Sequence, residues 1–150
     1  MKKLSIAVVI ALVLSGCANQ EPRRQDVNEE SALKAKLPYP VLDWRVLTVV
    51  ADREKRTMST LFANNAAADA ARNNLTYPAG AVVALVTWHQ LDNPNWFGSR
   101  VPGAPQQIEI VEYSSGGPKY RSFEEPAFQE QNKNADRVPY ITSLKAVPLP

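Results

Sequence analysis

The order of apolar and polar residues along the chain predicts a fold built mainly from short strands. Residues 43–50 and 57–62 alternate between apolar and polar side chains, which is typical of a strand with one buried face. Residues 81–88 form a nearly continuous apolar run, the pattern of a central strand covered on both faces. Further strands are predicted at 107–113, 119–123 and 138–147.

One clear helix is predicted between the second and third strands. Residues 66–71 are rich in alanine, the strongest helix former, and Asn64 or Asn65 can cap the first turn. The polar segment 128–137 is a weaker helix candidate. Together the elements predict an α+β fold, with an antiparallel sheet of about five strands and one or two helices packed on one face.

A long loop is predicted at 89–106, because an Asn-Pro pair, two glycines and two further prolines interrupt the pattern. Long loops in compact domains often carry function, so this loop supplies the candidate ligand-binding residues His89, Trp96, Phe97 and Arg100. The two aromatic rings can stack on a ligand or a partner, or they can fold the loop onto the domain. His89 can be an axial metal ligand or a general base, but a lone histidine lacks the partners of a metal site, which favours a surface position.

Other polar positions in the predicted strands have simpler explanations. Glu109 and Glu112 can face a pocket, but they are better explained as solvated strand positions. The sequence contains no phosphate-binding loop, no nucleophile elbow and no pair of carboxylates with a credible partner. We therefore assign no catalytic residue and predict no metal site.

The N-terminus has the pattern of a lipoprotein signal peptide. Lys2 and Lys3 precede an apolar run that is too short to span a bilayer, for which about 20 residues are needed. Small residues at 14–16 (Leu-Ser-Gly) then lead to Cys17, the only cysteine, and form a lipobox. We predict a signal peptide at 1–16 and lipidation of Cys17. The alternative is an ordinary secretory signal with a chance cysteine.

Lipidation of Cys17 predicts where the protein lies in the cell and excludes several kinds of cysteine site. Acyl chains, palmitate among them, would anchor the protein in the outer membrane of a bacterium, facing the periplasm. Ala18 favours the outer membrane, since an aspartate at this position retains lipoproteins of enteric-type bacteria in the inner membrane. Because Cys17 is the only cysteine, we expect no disulfide, no thiolate metal site and no cysteine nucleophile.

The remaining composition bounds the domain and its partners. Residues 17–37 are polar and show no apolar period, so they predict a tether between the lipid and one domain at 38–150. Without Lys2 and Lys3 the chain carries 15 basic and 15 acidic residues, and no basic run follows the signal. Nucleic-acid binding is therefore not expected.

The order of several segments resembles the cytochrome P-460 domain family. The shared features are a Trp44-Arg45-Val46 strand, a second strand ending at Asn64, the alanine-rich helix, and a Tyr77-Pro78-Ala79-Gly80 turn into a strand ending at Trp88. A looser match follows at 102–117, so the resemblance covers about residues 39–123. It implies an antiparallel sheet with helices on one side, and it implies a homodimer as the common assembly.

The same resemblance implies a chemistry whose residues this sequence lacks. Enzymes of the family carry a c-type haem and oxidise hydroxylamine or handle related nitrogen oxides. Their haem is attached through a Cys-x-x-Cys-His motif near the C-terminus, where residues 129–136 hold neither cysteine nor histidine. They also link a strand lysine to the haem, and the equivalent position here is Leu85. We therefore expect no cofactor.

Three hypotheses of function follow. The first is a non-catalytic envelope lipoprotein whose haem-free domain binds a small ligand or an envelope protein. The second is an enzyme that holds haem non-covalently and acts on hydroxylamine or nitrogen oxides through His89. The third is a structural subunit of an envelope complex.

Overall fold

The computed structural model describes residues 28–131 and 135–147 of the 150-residue chain. The predicted signal peptide, Cys17 and the first part of the predicted tether, 17–27, lie outside the described residues. Within the described ranges, no helix is long and apolar enough to cross a membrane.

A six-stranded antiparallel sheet forms the centre of the described part of the chain. Its strands are hydrogen-bonded in chain order, each to the next. They are β1 (Arg45–Asp52), β2 (Thr57–Ala63), β3 (Val82–Asp92), β4 (Arg100–Ser114), β5 (Gly117–Glu124) and β6 (Gln129–Gln131). The helices are α1 (Asn65–Arg72) and α2 (Val138–Ser143), with 3-10 turns at Glu29–Ser31, Val41–Asp43 and Ala135–Arg137. The predicted α+β class is confirmed, with one strand more than the predicted five.

Both helices pack on one face of the sheet. The small side chains of Ala67 and Ala68 are fully buried, which lets α1 lie close to the strands, and Ile141 anchors α2. This buried cluster comprises Leu47, Leu61, Ala63, Ala67, Ala68, Ala81, Val83, Leu85, Val111, Tyr120 and Ile141. The predicted packing of the helices on one face is therefore observed.

The predicted cap of the alanine-rich helix is confirmed at Asn64. Its Oδ1 accepts hydrogen bonds from the backbone N–H of Ala67 (3.0 Å) and of Val82 (3.1 Å), and its Nδ2 donates to the carbonyl of Gly80 (2.9 Å). The side chain therefore both caps α1 and holds the chain that enters β3.

The N-terminal segment, residues 28–44, covers the opposite face of the sheet, and we call it the strap. Along 31–39, inward side chains alternate with exposed ones, and Leu33 and Leu37 pack against the cluster that includes Trp88 and Ile108. The Nε1–H of Trp88 donates to the carbonyl of Ser31 at 2.9 Å. Residues 28–37, part of the predicted tether, thus contact the sheet, because their apolar side chains fall on one side of the segment.

The predicted long loop at 89–106 is wrong. β3 continues to Asp92 and β4 begins at Arg100, so the connection is only the turn 93–99. The prolines of β4, Pro102 and Pro105, lie before Gln107, the first residue of β4 that pairs with β5. One edge of β4 is therefore unpaired by β5 at these positions, and a free strand edge tolerates a residue without a backbone N–H. At Gly103 a Cβ would lie 2.7 Å from Cγ of Leu91, so glycine permits the close approach of β3.

The C-terminal predictions at 128–137 and 138–147 are also wrong. The first segment forms β6 and a 3-10 turn instead of a helix, and the second begins with α2 instead of a strand. Pro139 accounts for the second difference, since a proline cannot donate to a strand ladder but suits the first turn of a helix. The predicted strand at 119–123 is confirmed as part of β5.

Candidate functional site

A polar cleft of about 800 Å³ opens on the helix-covered face, at the end of the sheet where β1 ends and β2 begins. Its polar lining comes from five strands (β1 to β5), the β1–β2 and β5–β6 turns, the 3-10 turn before α2 and the start of α2. The polar lining residues are Asp52, Lys55, Thr57, Ser59, Thr87, Gln106, Gln107, Glu124, Glu125, Arg137 and Tyr140. The cleft offers both hydrogen-bond donors and acceptors to a ligand.

Arg137 is the most firmly held cation of this cleft. Its Nε and Nη2 donate to the two carboxylate oxygens of Glu109 at 2.9 and 2.8 Å, and its guanidinium lies 4.5 Å from the ring centroid of Tyr140. These contacts fix the plane of the guanidinium, and the bonds to Glu109 raise its pKa above the ordinary value. Among the described residues, Nη1 has no hydrogen-bond partner, so Arg137 can donate to a ligand.

Glu109 lies behind Arg137 and is fully buried. Besides Arg137 it accepts a hydrogen bond from the hydroxyl of Tyr120 at 2.8 Å. Burial, together with this bond to Glu109, raises the pKa of Tyr120, so the phenol stays protonated. The prediction of a solvated Glu109 is therefore wrong. The alternation of side chains in β4 could not reveal the burial of Glu109, because the cation that pairs with it, Arg137, is 28 residues away in sequence.

Glu112 is half-buried rather than solvated, and it forms an ion pair with Arg121 on the next strand. Burial raises the pKa of Tyr39, in the strap, and the negative charge of Glu112 raises it further. Register pairs Arg121 with Ile110 of the strap-covered face, so this ion pair lies on the side of the sheet opposite the polar cleft. Glu112 therefore does not contribute to the cleft.

Cross-strand pairs order the sheet surface inside the cleft. Ser59 and Thr87, paired between β2 and β3, share a hydrogen bond of 2.8 Å between their hydroxyl oxygens. The Nε2 of Gln107 donates to Glu124 at 3.1 Å, across β4 and β5. Polar groups that are fixed in this way lose little conformational freedom when a ligand binds.

His89 lies at the border of the polar cleft rather than at its centre. Its Nε2 is 3.0 Å from Oε1 of Glu125, a residue of the cleft, and about two-fifths of its side chain is exposed. The partner is a carboxylate of the turn after β5. The structure therefore gives His89 a surface hydrogen bond, in agreement with the simpler of its two predicted explanations.

The structure does not bring the other predicted ligand-binding residues to His89. Trp96 and Phe97 lie at the tip of the β3–β4 turn, with exposed fractions of 74 and 104%. Arg100 forms an ion pair with Asp92 at the base of that turn. The four candidates thus divide between the border of the cleft and a hairpin tip. Reasoning from sequence missed Arg137, whose only signal was a cation beside a predicted strand.

Leu85, which the resemblance places at the position of the haem-linked lysine, lies on the helix-covered face. Its side chain is 1% exposed and belongs to the cluster of Ile141. Its neighbour across β4 is Glu109, whose carboxylate is already bound. Within residues 28–131 and 135–147, no group of three or more histidine, cysteine or acidic side chains is placed to hold a metal ion.

Comparison with known proteins agrees with the architecture. The model of the cytochrome P460 family matches residues 40–138, which include all six strands, α1 and the Glu109–Arg137 pair. No curated protein matches the chain in sequence. Because the family model covers well over half of the chain, this protein belongs to the cytochrome P460 family.

Proposed function

We propose that the protein is a haem-free, non-catalytic member of its family that binds a small polar ligand in the polar cleft. The observation that carries the proposal is the position of Arg137. Its guanidinium is held by Glu109 and Tyr140, and its Nη1 has no hydrogen-bond partner among the described residues. A guanidinium fixed in this way recognises a carboxylate or carbonyl oxygen at little entropic cost.

The charges of the polar cleft restrict the ligand further. Nζ of Lys55 lies 3.6 Å from Oδ2 of Asp52, and Arg137 forms an ion pair with Glu109. Each cation of the cleft is therefore neutralised by a carboxylate of the protein. Glu124 and Glu125 add further acceptors to the lining. A zwitterion or a polyhydroxylated molecule, which offers both donors and acceptors, fits this lining better than a polyanion.

The proposal includes a haem-free state because the chain lacks the groups that fix a haem in its relatives. The sequence has one cysteine, Cys17, and one histidine, His89. The haem-enzyme alternative depends on His89, which is engaged by Glu125 and lies outside the cleft lining. A polar lining also suits water-soluble ligands better than an apolar macrocycle.

We further propose that the protein is a lipoprotein of the outer membrane, anchored by acylated Cys17 and facing the periplasm. The lipobox and Ala18 support this location. The mass of the N-terminal peptide tests it: acyl chains on Cys17 are expected, and an unmodified or internally cleaved N-terminus would refute it.

Nuclear magnetic resonance of the full lipoprotein in detergent micelles tests ligand binding. The probes are glycine, acetate and glucose, which represent a zwitterion, an anion and a polyol. We expect one of them to shift the Nε–H resonance of Arg137 in a saturable way, and Thr87→Val and Tyr140→Leu to weaken binding about tenfold.

Lys119→Ala is the matched control, because Lys119 is an exposed residue of β5 outside the cleft lining. This variant should leave the affinity unchanged. Resonances of Arg137 that respond to none of the three probes would refute a polar ligand of these classes. A Soret band that appears on haem titration, and shifts in His89→Ala, would refute the haem-free state.

A further inference from the structure

The tip of the β3–β4 hairpin presents two large apolar rings that the domain does not cover. Trp96 and Phe97 are consecutive and are the most exposed large hydrophobic residues of the described chain. The turn that carries them is internally fixed: the N–H of Asn93 donates to Ser99 at 3.0 Å, and that of Ser99 donates to Trp96 at 3.1 Å. The rings are therefore held away from the sheet by the turn itself.

The N-terminal end of the described chain lies at the base of the same hairpin. Nδ2 of Asn28 donates to the carbonyl of Pro102 at 2.6 Å, and Pro102 is paired with Gln90 across the hairpin. From Pro102 to Arg100, where β4 begins after the turn, the distance is about 7 Å along the strand. The chain thus leaves the domain beside the element that carries the exposed rings.

The length of chain ahead of Asn28 sets how far the domain can lie from its anchor. Ten residues separate Cys17 from Asn28, and a chain of this length spans at most about 40 Å. A lipid on Cys17 would hold the base of the hairpin within this distance of the bilayer. The hairpin tip that carries Trp96 and Phe97 is then within reach of the bilayer.

We propose that the hairpin tip docks onto the lipid bilayer that holds the anchor, with Trp96 and Phe97 inserted at the interface. Tryptophan favours this region because its ring is apolar and its N–H is polar, and phenylalanine adds buried apolar area. Two rings bind a membrane weakly from solution, but an anchored chain presents them at high local concentration. The inference rests on the proposed lipidation of Cys17.

Tryptophan quenching in vesicles tests the docking. The full lipoprotein is reconstituted into vesicles of phosphatidylethanolamine and phosphatidylglycerol, with and without brominated phosphatidylcholine as quencher. We expect strong quenching in the wild type and loss of most of it in Trp96→Phe, which keeps an apolar ring but leaves only the tryptophans Trp44 and Trp88. Phe97→Ser should weaken the quenching of Trp96, whereas Leu75→Ser, at an exposed residue that follows α1, should not.

The possible results distinguish a failure of the proposed docking from a failure of the proposed lipid anchor. Unmodified Cys17 would refute the anchor by mass alone. Acylated Cys17 without quenching would refute the docking and leave the anchor intact. Quenching that persists in Trp96→Phe would also refute it. A Trp96 emission that shifts with protein density but not with brominated lipid would show that a second copy or another protein covers the tip, which again overturns the inference.

Discussion

Glu109 is the one fully buried carboxylate among the described residues, and it depends on a single cation. The pair that it forms with Arg137 joins a buried strand to the segment before α2. Removal of the cation leaves a desolvated charge whose remaining described side-chain partner is the hydroxyl of Tyr120. The side chain that lines the cleft is therefore also a structural residue.

Arg137→Met should lower the free energy of unfolding by about 3–5 kcal/mol, because Glu109 stays buried without its counter-ion. The double variant Glu109→Leu with Arg137→Met should lose much less, since neither charge is then buried. Urea denaturation measures both, with exposed Arg72→Met as the control. If Arg137→Met costs no more than Arg72→Met, the pair does not stabilise the fold.

Tyr113 provides a second residue-scale prediction, through pH. Burial, with a contribution from Tyr77, raises the pKa of Tyr113 to about 12, and its hydroxyl is buried without a hydrogen-bond partner among the described residues. Above the ordinary pKa of about 10 the unfolded chain loses a proton that the folded chain keeps. The free energy of unfolding should therefore fall as the pH rises from 10 towards 12.

Tyr113→Phe removes the unpartnered hydroxyl and the ionisation together. We expect it to be neutral or to stabilise by up to about 1 kcal/mol at pH 7, and to reduce the fall at alkaline pH. Denaturation at a series of pH values, with tyrosinate absorbance followed in parallel, measures both effects. A variant that loses stability at pH 7 would mean that the hydroxyl has a partner after all.

At the scale of elements, Asn64 connects α1 to β3 through three hydrogen bonds. Asn64→Ala should therefore cost about 2–3 kcal/mol, more than an ordinary cap, and Asn64→Asp should cost less because it keeps both accepted bonds. Thermal unfolding of the three proteins measures the order. Asn73→Ala, at the other end of α1, removes one exposed bond and should cost about 0.5 kcal/mol; an equal cost at both ends would contradict the connecting role.

Elements with a strong local signal could be predicted from the sequence, and those that depend on distant partners could not. The alanine run of α1 and the apolar run of β3 determine their own structure, and both predictions hold. The hairpin of β3 and β4 was missed because prolines and glycine signal a loop unless a free strand edge accepts them. The polar cleft was missed because it needs Arg137 beside Glu109, a contact that only the folded sheet creates.

At the scale of the whole molecule, the strap completes the core by covering the face opposite the helices. Its signal was present in the alternation of Leu33, Ala35, Leu37 and Tyr39 with polar or small residues, within a segment that is hydrophilic on average. The many polar residues of the segment hid this two-residue alternation when the segment was judged by its average composition. A domain that starts at residue 38 would therefore leave part of its apolar face uncovered.

The double variant Leu33→Ser with Leu37→Ser should lower the free energy of unfolding by about 2–4 kcal/mol, since both side chains are partly buried on the sheet. Trypsin should then cut faster after Lys34 and Lys36. Leu42→Ser, at a strap residue that is half-exposed, is the matched control and should cost under about 1 kcal/mol. Unchanged cleavage in the double variant would mean that these contacts do not hold the strap.

The course of the strap also gives the fold a mechanical property. A pull on the chain ahead of Asn28 first loads the hydrogen bond to Pro102 and then the one between Ser31 and Trp88. The apolar contacts that follow are loaded one after another, so we expect the strap to detach in steps before tension reaches β1. Tension on the N-terminus would therefore uncover the strap-covered face of the sheet before it reaches the strands that line the cleft on the other face.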